Sequence, residues 1–538
     1  MLIKVLSRGA ISLSLLATAL VIFGGANQLA LADTFAGGHS GEKIRILNEK
    51  GQPIVGADVL IGNDLGQPFT NNQVKTDVNG AITVTADWRT ALPITVSANG
   101  YLRTTFLNVS PEAHEFQLRV IDMPTQIEIK GVATGFGDLK RDGKVDFSLV
   151  YPALTRRQLA QFDIDAMISP QFDEIKVLTE TVSVPSNLTL PKQEESYILP
   201  ITLNKPDYRL YVREPGTYRV MATHGQFPLK QVVGQLRDGK SFYEVLNLFK
   251  FMECGQSDVV VNDKASGQDV PVNQVTFNKT ITVKAPAIDA TQVMLSATMV
   301  DQGDLYFPSD IKRLQSGEQM SLNVPTGDNK NYIVSLLMPQ KEAEKIGGIH
   351  TTPLDVNPEP TAHPIDALKM AFNGLTKSFS IAIGLDQGAD QNVLNDGPGG
   401  LSIALNNETD SQPQFLGLVA RPTLSGKSSV SFAPPATVAG VQPVATYVVL
   451  SLIDHVAVGN YKLERRYRMW ELFANGWVTS AQLPSLPLNF EPGKSYRWEV
   501  YFMGSSQTAA SKKDPALSDS NAYFLDKVTH VSHNSLDL

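Results

Sequence analysis

Apolar side chains recur at every second position along much of this 538-residue chain. Ala57, Val59 and Ile61 do so in "GADVLIG", as do Val145, Phe147 and Leu149 in "KVDFSLVY". A period of two predicts strands with one buried face. Two segments break that rhythm. "ALTRRQLAQFDIDAMI" (153–168) spaces Leu154, Leu159, Phe162 and Ile164 as a short amphipathic helix does. "QVVGQLRDGKSFYEVLNLFKFM" places Val232, Val233 and Leu236, then Phe242, Val245, Leu246 and Phe249, at near-helical intervals around the breaker Gly239. The expected fold is mainly β, with a few short helical insertions.

The first 32 residues follow neither pattern. Lys4 and Arg8 precede an apolar run from Ala10 to Phe23, and Ala30-Leu31-Ala32 fits the small-residue site cut by signal peptidase. The run, roughly 14 residues, is short for a membrane span, which needs about 20. An export leader is therefore expected, with the mature chain beginning at Asp33. No cysteine follows the cut to carry a lipid, and no later run reaches transmembrane length.

Turn chemistry then identifies one module. Gly51-Gln52-Pro53-Ile54-Val55-Gly56-Ala57, Thr76-Asp77-Val78-Asn79-Gly80 and Ala98-Asn99-Gly100-Tyr101 punctuate strands of the right length. Gly51 and Pro53 suit a turn, and Asn79-Gly80 tolerates positive φ. On these pieces residues 42–121 resemble a carboxypeptidase regulatory-like (transthyretin-type) β-sandwich. The resemblance implies a spacer or accessory module and brings no catalytic residues.

Weak repetition extends the sandwich reading. "EPGTYRVMA" (214–222) is echoed by "EPGKSYRWEVYF" (491–502), each similar to the tyrosine corner of immunoglobulin-like and fibronectin-like folds. "LQSGEQMSLNVP" and "YIVSLLMP" are likewise echoed by "TLSGKSSVSFAPP" and "YVVLSLID". The chain is thus expected to be a string of immunoglobulin/transthyretin-like β-sandwich domains. The expected divisions are a leader (1–32), the regulatory-like module (42–121), a β-rich domain with helical insertions (122–255) and a sandwich (256–345). A Pro-rich linker (346–372), a C-terminal sandwich (373–508) and a polar tail (509–538), with a last strand near "NAYFLDKVTHV", complete it.

Charge and cysteine usage narrow the partners. The net charge is −8, and loss of a leader with two basic and no acidic residues makes it two units more negative. Nucleic-acid binding requires a basic face, so nucleic acid is an unsuitable partner; an anionic membrane surface would repel the chain too. Cys254 is the single cysteine, so no intrachain disulfide forms and stability rests on burial. Without a His partner in the sequence pattern, Cys254 reads as a small buried hydrophobe.

Catalytic motifs are absent from the sequence. His39-Ser40-Gly41-Glu42 has the spacing of a zinc carboxypeptidase pair but sits in the linker after the leader. Ser309-Asp310-Ile311-Lys312 spells Ser-x-x-Lys without its companion motifs and reads as an exposed turn. Asp138, Asp142 and Asp146 in "GFGDLKRDGKVDFSLVYP" resemble the calcium loop of FG-GAP repeats. Lys140 stands where that pattern needs an oxygen ligand, and Leu149 stands where an EF-hand would close with Glu. Asp142-Gly143 is equally a hairpin turn. The expected reading is the hairpin, with calcium at Asp138, Asp142 and Asp146 as the alternative and no other cofactor.

One basic, aromatic cluster remains. Trp470, Trp477 and Trp498 lie beside Arg466, Arg468 and Arg497, residue types enriched at the energetic centres of interfaces. These six are the candidate binding residues, with at least one Trp expected in the core and at least one exposed. The expected function is a non-enzymatic exported protein of the periplasm or cell surface, engaged in adhesion, envelope architecture or binding of a protein or glycan. The alternative is an accessory carbohydrate-binding protein, or an enzyme of unrecognised type acting on envelope polymers.

Overall fold

The computed structural model describes residues 41–340 and 401–537 apart from shorter internal stretches, the longest being 156–171, 483–493 and 507–527. The expected leader, His39 and the Pro-rich linker lie outside the described residues. The fold is mainly β, and no described helix is long and apolar enough to cross a membrane.

Residues 43–118 form a seven-stranded sandwich: β1 (Lys43–Asn48), β2 (Asp58–Ile61), β3 (Gln73–Lys75), β4 (Ala81–Thr83), β5 (Leu92–Ser97), β6 (Arg103–Val109) and β7 (His114–Leu118). One sheet has the order β4-β1-β7, and the facing one β6-β5-β2-β3. Ile44, Ile46, Val59, Val96, Phe106 and Phe116 fill the space between them. The turns follow the chemistry of the sequence. The Asn48 side chain accepts the Gln52 N–H, and Gly51 adopts φ +74°. Thr76 Oγ1 donates to the Ile54 carbonyl and accepts the Ala57 N–H, stapling β2 to β3. Asp77 Oδ1 accepts the N–H groups of Ala81 and Asn79, and those bonds lower its carboxyl pKa. At Gly80, with φ +68°, an added Cβ would lie 2.6 Å from the Ile46 carbonyl oxygen and 2.9 Å from Pro53 Cβ.

This module is not a separate bead. Its β6-β5-β2-β3 sheet continues into a 13-stranded sheet. From the far edge the order is Leu154–Thr155, Leu305–Leu314, Gln292–Asp301, Lys330–Pro339, Leu401–Asn407, His530–Asp537, Ser495–Ser505, Gln442–Val458, Tyr461–Asn475, then β6. All these neighbours are antiparallel except one: Tyr461–Asn475 meets β6 in parallel, with Trp470 opposite Arg103 through Phe473 opposite Phe106. The modules are fused edge to edge.

The intervening region forms a second sandwich. Its six-stranded sheet includes Lys144–Pro152, Gly216–Pro228 and Lys250–Val261 and faces the sheet of Asp207–Val212 and Ile127–Thr134. Ile129, Val150, Tyr208, Val220 and Val259 pack between them. Both "EPG" echoes open into strands, Gly216–Pro228 and Ser495–Ser505.

Several expectations change. The boundary at 255/256 falls inside the strand Lys250–Val261. Leu154–Thr155, where the first helix was expected to begin, is a strand paired with Leu305–Tyr306; residues 156–168 lie outside the described residues. In the second helical pattern Gln231, Val232 and Gln235 are helical, as are Phe242–Val245 before a single 3₁₀ turn, Leu246–Leu248; residues 233–234 and 236–241 lie outside the described residues. The polar tail ends in the strand His530–Asp537, which is central in the large sheet. Its sequence HVSHNSLD shows no apolar period, and two of its buried side chains bond remote carbonyls. Ser532 Oγ donates to the Gly417 carbonyl and Asn534 Nδ2 to that of Val419, both at 2.7 Å.

Gly80→Ala should lower the unfolding free energy by about 1–3 kcal/mol, because it combines left-handed backbone with a steric clash. Gly51→Ala, at similar φ in open space, should cost less, on the order of 1 kcal/mol. Denaturant unfolding of the full-length variants measures both, and equal losses would contradict the close packing at Gly80.

Candidate functional site

The C-terminal part of the large sheet has two unlike faces. Trp470, Leu472, Trp498, Val500 and Phe502 lie on one, in an apolar cluster with Val448 and Leu450. Trp470 and Trp498 are fully buried, 5.3 Å apart edge to face, and Trp470 Nε1 donates to Thr105 Oγ1 of β6. Trp477 is half-buried, with its Nε1 donating to the Met503 carbonyl. Two of the three tryptophans expected as a platform are therefore core, because strand alternation points them inward. They offer no surface to a sugar.

Registers across the other face place side chains in three rungs. The first runs Phe106, Phe473, Tyr447, Tyr501, His533. Its rings stack in sequence at 5.9, 4.7, 5.6 and 4.3 Å, and Phe116 of the facing sheet stacks on Phe106 at 4.0 Å. The second runs Thr104, Glu471, Val449, Glu499, Ser535, and the third Arg468, Ser451, Arg497, Asp537. An aromatic band thus borders an acidic rung, which borders a basic one.

The acidic rung is buried. Glu471 is 1% exposed. It accepts the Tyr447 hydroxyl at 2.7 Å on Oε2 and the Thr104 hydroxyl at 3.4 Å on Oε1. Arg119, just past β7, brings Nη1 to 4.0 Å from Glu471 Oε2 while only 2% exposed itself. Burial raises the Tyr447 pKa well above its ordinary value and Glu471 adds to this; Arg119 and Arg468 oppose it. The phenol stays a donor to the carboxylate. Glu499 accepts the Tyr501 hydroxyl at 3.4 Å and lies 3.6 Å from His533 Nε2. Among the described residues, the guanidinium nitrogens of Arg119, the ring nitrogens of His533 and the hydroxyls of Ser451 and Ser535 have no hydrogen-bond partner. The face is rich in donors at the junction of the first sandwich and the C-terminal sheet.

The expected arginines are divided by this geometry. Arg497 is 7% exposed and grips Asp537 through two nitrogens, so it is a strand clamp and not a contact residue. Arg468 stands in the basic rung opposite Ser451, and Arg466 takes its backbone position opposite Ile453. Arg119, Glu471, Tyr447, Glu499 and His533 were not singled out from the sequence. The available signal was a lone Glu in the apolar run "MWELFA", a charge where alternation permits none outside.

The aspartate loop resolves differently from its expected hairpin. Ile127–Thr134 and Lys144–Pro152 belong to facing sheets, so the loop crosses between them and does not close a hairpin. Gly143 has φ +79°, as a turn requires. Asp138 is exposed, and Asp142 binds the backbone N–H and ammonium of Lys144. Asp146 is buried, accepting His224 Nε2 at 2.8 Å and Gln226 Nε2 at 2.7 Å. His224 Nδ1 meets Glu253 at 2.8 Å, and Phe136 from the loop packs edge-on against the imidazole. Two of the three aspartates of the alternative calcium reading, Asp142 and Asp146, thus have other partners. Among the described residues, no group of three His, Cys, Asp or Glu is arranged to hold a metal.

Two other candidates are interior. Cys254 is buried, and burial pushes its thiol pKa up to about 12, with Glu253 adding to the shift, so it remains protonated. Ser309 and Lys312 lie in a buried strand and not in an exposed turn. Ser309 Oγ meets Thr298 Oγ1, and Lys312 Nζ donates to the Phe249 carbonyl beside Asp310.

No protein-family model matches the chain, and no curated protein matches it in sequence. Similar solved structures include the TIE protein of Bacillus anthracis, at 10% identity and a TM-score of 0.14, covering 54% of this chain and 44% of that one. The major pilin subunit BcpA of Bacillus cereus aligns at 10% identity and a TM-score of 0.12, covering 54% and 87%. The fimbrial anchor protein Mfa2 of Porphyromonas gingivalis aligns at 8% identity and a TM-score of 0.13, covering 40% and 78%. Likeness at these TM-scores carries no argument.

Arg119→Met or Glu471→Gln should each destabilise the full-length protein by roughly 3–5 kcal/mol, because each leaves a buried group without its counter-charge. The double variant should lose clearly less than the sum, which denaturant unfolding in a double-mutant cycle measures. Additive losses would show that the two side chains do not sense each other.

Proposed function

We propose that the protein is an exported, non-enzymatic scaffold of the cell envelope or surface, which holds a binding surface for a protein or glycan partner at fixed geometry. The observation that carries this reading is the edge-to-edge continuation of the first sandwich into the C-terminal sheet through the parallel joint at Trp470–Phe473 and Arg103–Phe106. A spacer on a loose linker imposes no orientation on what it carries. A spacer sharing a sheet, an aromatic stack and a buried charge pair with its neighbour does. The leader expected from the sequence directs such a scaffold out of the cytoplasm, and the regulatory-like resemblance of residues 42–121 suits a spacer. The acidic balance favours protein or glycan partners over nucleic acid.

Fractionation of producing cells, with intact-mass measurement and protease shaving, tests this. The protein should appear in an extracytoplasmic fraction with a mass that begins at Asp33. A full-length protein confined to the cytoplasm would overturn the proposal.

A further inference from the structure

A cleft of about 670 Å³ opens between the turn 286–292, which leads into the strand Gln292–Asp301, and the segment 412–415. That volume falls within the roughly 300–1,000 Å³ of sites that hold small molecules. Both walls are fixed. On the first, the Ile288 N–H donates to Ser316 Oγ at 3.1 Å, and the Thr291 carbonyl accepts the Gln340 N–H at 2.7 Å. On the second, Gly417 donates its N–H to the Ala436 carbonyl at 3.0 Å, and its own carbonyl accepts Ser532 Oγ at 2.7 Å. Ile288 and Phe415, one from each wall, pack half-buried against the core of Ile281, Val283 and Leu322. A ligand entering here does not have to order the protein around it.

The lining offers two kinds of contact. Pro286, Ile288, Pro413 and Phe415 supply apolar surface. Gln292, Gln412 and Gln414 supply carboxamides, and Asp289 a carboxylate. Asp289 Oδ1 accepts the hydroxyl and the N–H of Thr291 at 2.7 and 2.8 Å, and those bonds lower its pKa, so the group stays ionised. Among the described residues, none of the lining side chains is basic.

This chemistry selects among ligands. A carboxamide both donates and accepts, as a sugar hydroxyl does, and a carboxylate accepts from hydroxyls. An anionic ligand would meet the charge of Asp289 with no lining cation to offset it. A peptide strand is held by main-chain hydrogen bonds, whereas the polar groups of this cleft are side chains. The proline and phenyl surfaces suit the C–H face of a sugar ring, which the negative face of an aromatic ring attracts.

We propose that this cleft binds an uncharged oligosaccharide, with hydroxyls bonded by Asp289, Gln412 and Gln414 and a ring face against Pro413 and Phe415. This deepens the scaffold reading and rests on it, by choosing a glycan over a protein as the partner.

The probes are triacetylchitotriose, cellotriose and mannotriose, titrated into the purified full-length protein and followed by saturation-transfer NMR. At least one should bind saturably. Gln412→Ala/Gln414→Ala should weaken that binding by about tenfold or more; both side chains are exposed, so the melting temperature should hold. Trigalacturonic acid, of similar size but anionic, should bind at least about tenfold more weakly than the preferred neutral sugar, and Asp289→Asn should narrow that gap. Absence of binding by all three neutral sugars would overturn the proposal, as would equal binding of trigalacturonic acid. Binding unchanged in the double variant would place the sugar elsewhere and overturn it too. Tri-lysine bound more tightly than every sugar would make Asp289 the anchor of an amine site, which also contradicts it. The measurement uses purified protein, so an error in the cellular location leaves its outcome unaffected, and a failure to bind sugar leaves the fractionation result standing.

Discussion

Four residues of parallel pairing, Trp470–Phe473 against Arg103–Phe106, determine whether this chain is a set of modules or one body. Parallel pairs are slightly weaker per residue than antiparallel ones, so side chains must supply the hold. On one face Trp470 bonds Thr105. On the other, Phe106 stacks between Phe116 and Phe473, and Arg119 reaches Glu471. The first sandwich therefore contributes to both faces of the joint.

The buried charges at the joint specify register more than they add stability. A buried pair recovers little beyond its own desolvation cost. A slip of Tyr461–Asn475 by one residue would exchange its faces. Glu471 would then enter the cluster of Trp498, Val500 and Phe502, and Trp470 would leave it. That is prohibitive for a carboxylate, whereas an all-apolar strand would tolerate it. The Tyr447 hydroxyl, held neutral by burial, supplies Glu471 with its short hydrogen bond in the native register.

Local structure was legible in the sequence wherever period and turn chemistry coincide. Val145, Phe147 and Leu149 lie on one buried face, and Gly51, Gly80 and Gly143 take the positive φ their turns demand. What was not legible depends on contacts between distant segments. His530–Asp537 is polar because its partners at Gly417 and Val419 are remote carbonyls. Asp146 reads as a loop ligand until His224 is brought beside it by the pairing of two strands. The tryptophan and arginine cluster was visible as composition, but composition cannot say that Trp470 and Trp498 face inward and that Arg497 is spent on Asp537.

Native-state hydrogen exchange on the full-length protein tests the central claim, that the first sandwich and the C-terminal sheet form one cooperative body. If they do, the amides of Thr104–Phe106 and of Glu471–Phe473 open together, with opening free energies that agree to within about 1 kcal/mol. If the β6 amides exchange through a separate opening of much lower free energy, while Glu471–Phe473 stay protected, the first sandwich is an independent module and the account is wrong.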